Sequence, residues 1–198
     1  MRNILIAAAL IAAPALAAPQ VGKAAPEFTA ISASGETVKL SDYRGKTVVL
    51  EWTNKGCPYV AKHYKSGNMQ SLQADAAKDG VVWLTVNSGA AGKQGHVDAK
   101  GANAEMAEYE TTQTAYLLDL DGKVGKAYGA SATPHMYVVD GKGVLRYMGA
   151  IDDKPTSKPE DVKGATNYVA AALDAVAAGE APSPAATRAY GCSVKYAG

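Results

Sequence analysis

The run Lys46-Thr47-Val48-Val49-Leu50-Glu51-Trp52-Thr53-Asn54-Lys55-Gly56-Cys57-Pro58-Tyr59-Val60 leaves the chain few choices. Val48, Val49, Leu50 and Trp52 make an apolar, β-branched and aromatic stretch of strand length. Pro58 suits the first position of a helix, where its missing N–H leaves no bond unmade. A strand, a short turn and a helix are therefore expected in immediate succession, with Cys57 at or just before the helix N-cap. Free backbone N–H groups and the positive end of the helix dipole stabilise a thiolate there, and the thiolate is the nucleophilic form. A reactive Cys57 is one reading. Half of an inert disulfide is the other, because the chain has a second cysteine, Cys192.

The compartment bears on that choice. Met1-Arg2-Asn3 carries one positive side chain, Ile4 to Ala13 is wholly apolar, and Ala15-Leu16-Ala17 offers small residues around a cut. This pattern predicts a secretory signal peptide over 1–17 with cleavage after Ala17. The apolar run is short for a bilayer span, and no cysteine follows it to carry a lipid. The expected product is periplasmic or secreted, with no membrane span after cleavage. Its length of about 180 residues suits one domain with a real core. Acidic and basic side chains balance once Arg2 is removed, and no block of like charge marks a nucleic-acid or anionic-membrane partner. Two cysteines in an exported chain favour one disulfide. A Cys57–Cys192 bond would enclose most of the domain, a loop whose closure is worth about 4–5 kcal/mol.

Along the remaining chain the pattern is α/β. Phe28 to Ile31 and Thr37 to Leu40 flank the turn Ser34-Gly35-Glu36, which predicts an N-terminal β-hairpin. After Cys57, Val60, Tyr64, Leu72 and Ala76 mark a helix face interrupted at Gly67-Asn68. Val81 to Val86 is a second apolar strand, and the alternation predicts a largely parallel, buried central sheet. Residues 87–104 read as a loop, with a helix from Ala104 to Thr111. A strand follows over Ala115 to Leu120, then a small helix over Lys123 to Tyr128. Met136 to Val139 and Val144 to Met148 form a hairpin about Asp140-Gly141-Lys142-Gly143. The last helix spans Asn167 to Ala178. Glu180-Ala181-Pro182-Ser183-Pro184 marks the boundary between a domain over 18–180 and a tail over 181–198 that carries Cys192.

This order resembles a thioredoxin-like fold with an N-terminal hairpin extension and a C-terminal cysteine-bearing tail. Ala25-Pro26-Glu27-Phe28, Gly35 and Leu40-Ser41-Asp42-Tyr43-Arg44-Gly45-Lys46 resemble the opening of the redoxin group, the alkyl hydroperoxide reductase/thiol-specific antioxidant proteins. Thr133-Pro134 resembles the cis-proline loop of thioredoxins. Asn54 to Val60, together with Tyr190-Gly191-Cys192-Ser193-Val194-Lys195-Tyr196, is similar to the exported peroxiredoxin-like subgroup. The resemblance implies an antioxidant or thiol-disulfide oxidoreductase without a cofactor or metal. Cys57 would be the nucleophile on a peroxide or protein disulfide, and Cys192 the resolving or disulfide partner. Asn54, Pro58, Tyr59, Thr133 and Pro134 would line the substrate site, and an external thiol would be the reductant.

The departures are as informative. The position three residues after Cys57 is Val60, so there is no local dithiol and an internal partner must be Cys192. Thr53 stands one place away from the threonine of typical peroxiredoxins, where this chain has Asn54. Arg146 is a candidate for the cation that lowers a peroxidatic cysteine's pKa, or a solvated strand residue. His63 is expected to be exposed or at the edge of the core. Two other readings stay open: a non-catalytic exported domain stapled by Cys57–Cys192, and a copper site built from Cys57, His63 and His135, soft thiolate and imidazole being copper ligands.

Overall fold

The computed structural model describes residues 18–197, so the expected leader over 1–17 lies outside the described residues. One seven-stranded sheet carries the fold, in the order β2-β1-β5-β4-β3-β7-β8. The strands are β1 (Thr29–Ser32), β2 (Thr37–Lys39), β3 (Val48–Trp52), β4 (Val82–Asn87), β5 (Ala115–Leu118), β7 (His135–Val139) and β8 (Leu145–Gly149). Two short strands, β6 (Ala132–Thr133) and β9 (Cys192–Ser193), pair with each other outside it. The helices are α1 (Pro58–Lys65), α2 (Asn68–Lys78), α3 (Ala99–Tyr109), α4 (Lys123–Tyr128) and α5 (Tyr168–Ala177).

Every residue of β3 is buried, because it lies mid-sheet with both faces covered. Val48, Leu50 and Trp52 face a cluster with Phe28, Leu117, Tyr128, Tyr137 and Leu145. Val49 faces the opposite cluster, where Val60, Tyr64, Met69, Val169 and Tyr147 bring in α1, α2, α5 and β8. Glu51 also points to this side and is fully buried, accepting hydrogen bonds from Trp83 Nε1 (2.9 Å) and Tyr64 Oη (2.7 Å). The break between α1 and α2 falls at Gly67, whose φ of +74° caps the second helix.

Two expectations need correction. The sheet is parallel only across β3, β4 and β5, and the strands outside them run antiparallel. The apolar runs reported burial on both faces, which a central antiparallel pairing such as β3–β7 also produces. Second, α3 starts at Ala99, because Asp98 accepts a hydrogen bond from Gly101 N (2.7 Å) and caps it. Its few apolar residues hid the start. The tail that carries Cys192 is docked on the domain. Thr187 N donates to Met148 O (3.0 Å), Val194 N to Ser131 O (3.2 Å), and Tyr196 Oη to Ala130 O (2.7 Å).

Candidate active site

Cys57 is the N-cap of α1, in extended conformation, with Pro58 directly after it. Its side chain is buried. The sulfur lies 3.1 Å from the carbonyl of Thr133, to which the thiol donates, and 3.4 Å from the backbone N–H of Cys192, which donates to it. The Thr133–Pro134 peptide is cis. The β6–β9 ladder sets Thr133 directly opposite Cys192, and Thr133 Oγ1 shares its one proton between the Cys192 carbonyl (3.3 Å) and the Cys57 sulfur. Both cysteines are thiols here. Two sulfurs 135 positions apart in sequence are thus brought together by one two-residue strand pair.

Their electrostatics differ. Burial alone would push the Cys57 thiol up. Hydrogen bonds from the Cys192 thiol, the Thr133 side chain and the backbone N–H groups of Val60 and Cys192 outweigh it and hold Cys57 below the ordinary thiol value. The Val60 N–H belongs to the first turn of α1, where backbone donors lack helical partners. Cys192 moves the other way. Burial, its hydrogen bond to Cys57 and the charge on Cys57 push it up to about 11. One thiol is poised to ionise and the other to keep its proton.

A buried polar cluster ties down the segment that carries Cys192. Lys62 and His63 of α1 are fully buried, as is Asp152 but for 2 %. Lys62 Nζ donates to Asp152 Oδ2 (3.0 Å), the Lys154 carbonyl (2.6 Å) and Tyr190 Oη (3.3 Å). Asn68 Nδ2 donates to His63 Nδ1 (2.9 Å), which assigns the ring proton of the neutral imidazole to Nε2, facing Tyr190 Oη at 3.1 Å. The Tyr190 hydroxyl in turn donates to Asp152. Burial, set against the nearby Asp152 charge and reinforced by Lys62, pulls His63 down to about 4. Every polar group in the cluster has a partner, the condition under which a buried ion pair holds.

The other expected residues are placed as follows. Asn54 shapes the cysteine loop: its Oδ1 accepts from Gly56 N (2.9 Å) and its Nδ2 donates to Gln94 Oε1 (2.9 Å). Pro58 is exposed, and half-buried Tyr59 packs edge-on against Tyr190, with ring centroids 5.9 Å apart. Arg146 is not beside Cys57; it pairs with Asp140 (3.1 Å) and donates to the Glu180 carbonyl. His63 is buried rather than at an edge, because the polar cluster satisfies it. Both His63 nitrogens are engaged away from Cys57, and among the described residues no three His, Cys, Asp or Glu side chains converge to hold a metal.

Sequence reasoning missed Lys62, Asp152 and Tyr190. Only Tyr190 carried a signal: it opens the Tyr190 to Tyr196 motif around Cys192, though that motif assigns it no role.

A mixed sheet with a cysteine at the N-cap of the helix that follows β3, in contact with the Thr133–Pro134 segment before β7, defines a thioredoxin-like fold. The chain belongs to the AhpC/TSA family, which matches residues 21–148. It is 28% identical over 128 residues to the thiol-disulfide oxidoreductase ResA of Geobacillus kaustophilus, covering 65% of this chain and 68% of that protein. It is also 28% identical over 145 residues to the thioredoxin-like protein YneN of Bacillus subtilis, covering 72% and 80%. A crystal structure of a hypothetical protein from Sinorhizobium meliloti superposes with a TM-score of 0.79 at 26% identity, over 91% of this chain and 97% of that one. At this level the chain is a redoxin of the AhpC/TSA family that is similar to thiol-disulfide oxidoreductases.

Proposed function

We propose that the protein is an exported oxidoreductase that reduces disulfides of other proteins, with Cys57 as nucleophile and Cys192 as resolving thiol. The Cys57 thiolate attacks one sulfur of the substrate disulfide, forms a mixed disulfide and expels the other sulfur as a thiolate, which takes up a proton. Cys192 then gives up its proton and attacks the Cys57 sulfur. The Cys57–Cys192 bond forms and the second substrate thiol leaves. The substrate gains two electrons and the cysteine pair loses them; an external thiol reductant returns the pair to the dithiol.

The observation that carries this reading is the 3.4 Å approach of the Cys192 backbone N–H to the Cys57 sulfur. The opposite displacement of the two thiol pKa values supports the assignment of roles. A disulfide is favoured over a peroxide by what surrounds the sulfur. Arg146 is spent on Asp140, and Asn54 is locked by Gly56 and Gln94, so neither is free to polarise a peroxide. Pro58 is exposed and Tyr59 half-buried, so a substrate segment would meet Cys57 beside them, with Thr133 and Pro134 buried behind the sulfur.

Mass spectrometry of the reduced protein, wild type and Cys192→Ser, tests this after exposure to glutathione disulfide or to one equivalent of hydrogen peroxide. The wild type is expected to finish with an internal disulfide, and the variant to retain one glutathionyl group on Cys57. No change in either protein would overturn the reading in favour of a non-catalytic domain. Faster reaction with peroxide than with disulfide would replace it with a peroxidase.

A further inference from the structure

A second site lies on the far side of the tail. Residues 187–191 form one wall of a cavity of about 890 Å³ whose other walls include His135, Tyr137, Tyr128 and Met148. That size falls among small-molecule pockets, which run to roughly 300–1,000 Å³. The floor is aromatic and apolar, and its phenols are already committed: Tyr137 Oη shares its proton between the Tyr128 carbonyl (2.9 Å) and His135 Nδ1 (3.2 Å), and Tyr128 Oη donates to the Pro26 carbonyl (2.8 Å). Thr187 Oγ1 is likewise taken by Tyr147 and Ala150 N, and Tyr190 Oη by the buried cluster.

Two donors remain. His135 is 9 % exposed, and burial pulls its imidazole down to about 4, so the ring is neutral at pH 7. Its Nδ1 faces Tyr137 Oη (3.2 Å) and accepts from the backbone N–H of Ser131 (3.4 Å); a backbone N–H can only donate, which assigns the single ring proton to Nε2. Nε2 has no hydrogen-bond partner among the described residues, in a side chain that lines the cavity. Arg188 lines the same cavity, is exposed, and makes no ion pair among the described residues. No Asp or Glu is among the lining side chains. The wall therefore offers N–H donors and one positive charge, above an apolar floor.

We propose that this cavity binds a small organic carboxylate with an apolar body, its head group held by Arg188 and His135 and its body lying on Tyr137, Tyr128 and Met148. The guanidinium fork matches a planar carboxylate in two parallel hydrogen bonds, and its single charge matches a monoanion. The neutral imidazole adds a donor without adding charge. The cavity shares the tail segment 187–191 with the Cys192 site, but decanoate binding involves no thiol step, so its failure and the failure of the oxidoreductase reading are separately visible.

Isothermal calorimetry with decanoate, decanol and inorganic phosphate as probes tests the proposal. Decanoate is expected to bind saturably, with decanol and phosphate each weaker by about tenfold or more, because each lacks one half of the match. Arg188 is exposed, so Arg188→Ala leaves the fold intact; it is expected to weaken decanoate by about tenfold, and Arg188→Lys by less. The His135 Nε2–H resonance should shift on saturation with decanoate. The proposal is overturned by absence of saturable decanoate binding, by decanol binding as tightly, or by decanoate binding that Arg188→Ala leaves unchanged.

Discussion

The backbone N–H of Cys192 donates to the sulfur of Cys57 at 3.4 Å, so the proposed resolving thiol and a group that stabilises the Cys57 thiolate belong to one residue. This couples the ionisation of Cys57 to the docking of the tail. Anything that lifts the tail removes donors from the Cys57 sulfur and takes away its partner together.

The first prediction concerns that coupling. Cys57 sits below the ordinary thiol value because donors outweigh burial, and Cys192 supplies two of those donors. In Cys192→Ala the side-chain donor is gone, so the pH midpoint for alkylation of Cys57 should rise. Iodoacetamide reaction rates measured against pH would show it; an unmoved midpoint would remove Cys192 from the account of Cys57 acidity.

Tyr190→Phe deletes the hydroxyl at the centre of the Lys62–Asp152–His63 cluster while keeping the ring against Tyr59. Leaving buried partners short of one hydrogen bond costs about 1–3 kcal/mol. Urea unfolding of the variant should show a loss in this range, and closure of the Cys57–Cys192 bond after a glutathione mixed disulfide forms should slow. A variant that unfolds earlier yet closes at the wild-type rate would reduce the cluster to a purely structural role.

Gly191 has φ of +131°, and a Cβ there would stand 2.0 Å from the Thr133 carbonyl oxygen. Backbone strain of this kind costs about 1–3 kcal/mol, and the β6–β9 pair has only two residues with which to resist it. Gly191→Ala should detach the tail from Thr133. The expected signs are faster proteolysis after residue 186 and accumulation of the mixed disulfide on Cys57 even with Cys192 present.

Stability should fall with acid in a defined window. His63 and His135 are each pulled from the ordinary 6.5 down to about 4 in the folded protein, by burial above all. The unfolded chain therefore binds protons that the folded one refuses. Their contribution is fully present above about pH 6.5 and is lost progressively down to about pH 4, by up to about 3 kcal/mol for each. Glu105 acts oppositely: burial raises it to about 7, so its ionisation weakens the fold as pH rises from about 4.5 through 7. Denaturation midpoints for wild type and His63→Asn across this range would separate the terms, since the variant should lose part of the acid sensitivity.

Much of this architecture is legible locally. The run from Val48 to Val60 encodes strand, turn, N-cap cysteine and helix without help from the rest of the chain, and Gly67 marks the joint between α1 and α2. Asp140 to Gly143 likewise encodes the β7–β8 hairpin. Strand direction was less legible, because an apolar run shows that both faces are covered and is silent on which way its neighbours point. Lys62 illustrates the harder case. A lysine in a helix reads as solvated, and only its meeting with Asp152 and Tyr190, 90 and 128 positions away, makes burial tolerable.

By itself the amino-acid sequence determined which sulfur stands at a helix mouth, because capping, strand and turn preferences act over a few neighbouring residues. Whether the other sulfur reaches it was decided only by the tertiary structure. That meeting depends on a tail laid across β8, anchored through Tyr190 and paired with Thr133, and contacts between remote segments leave almost no trace in the order of residues along a chain.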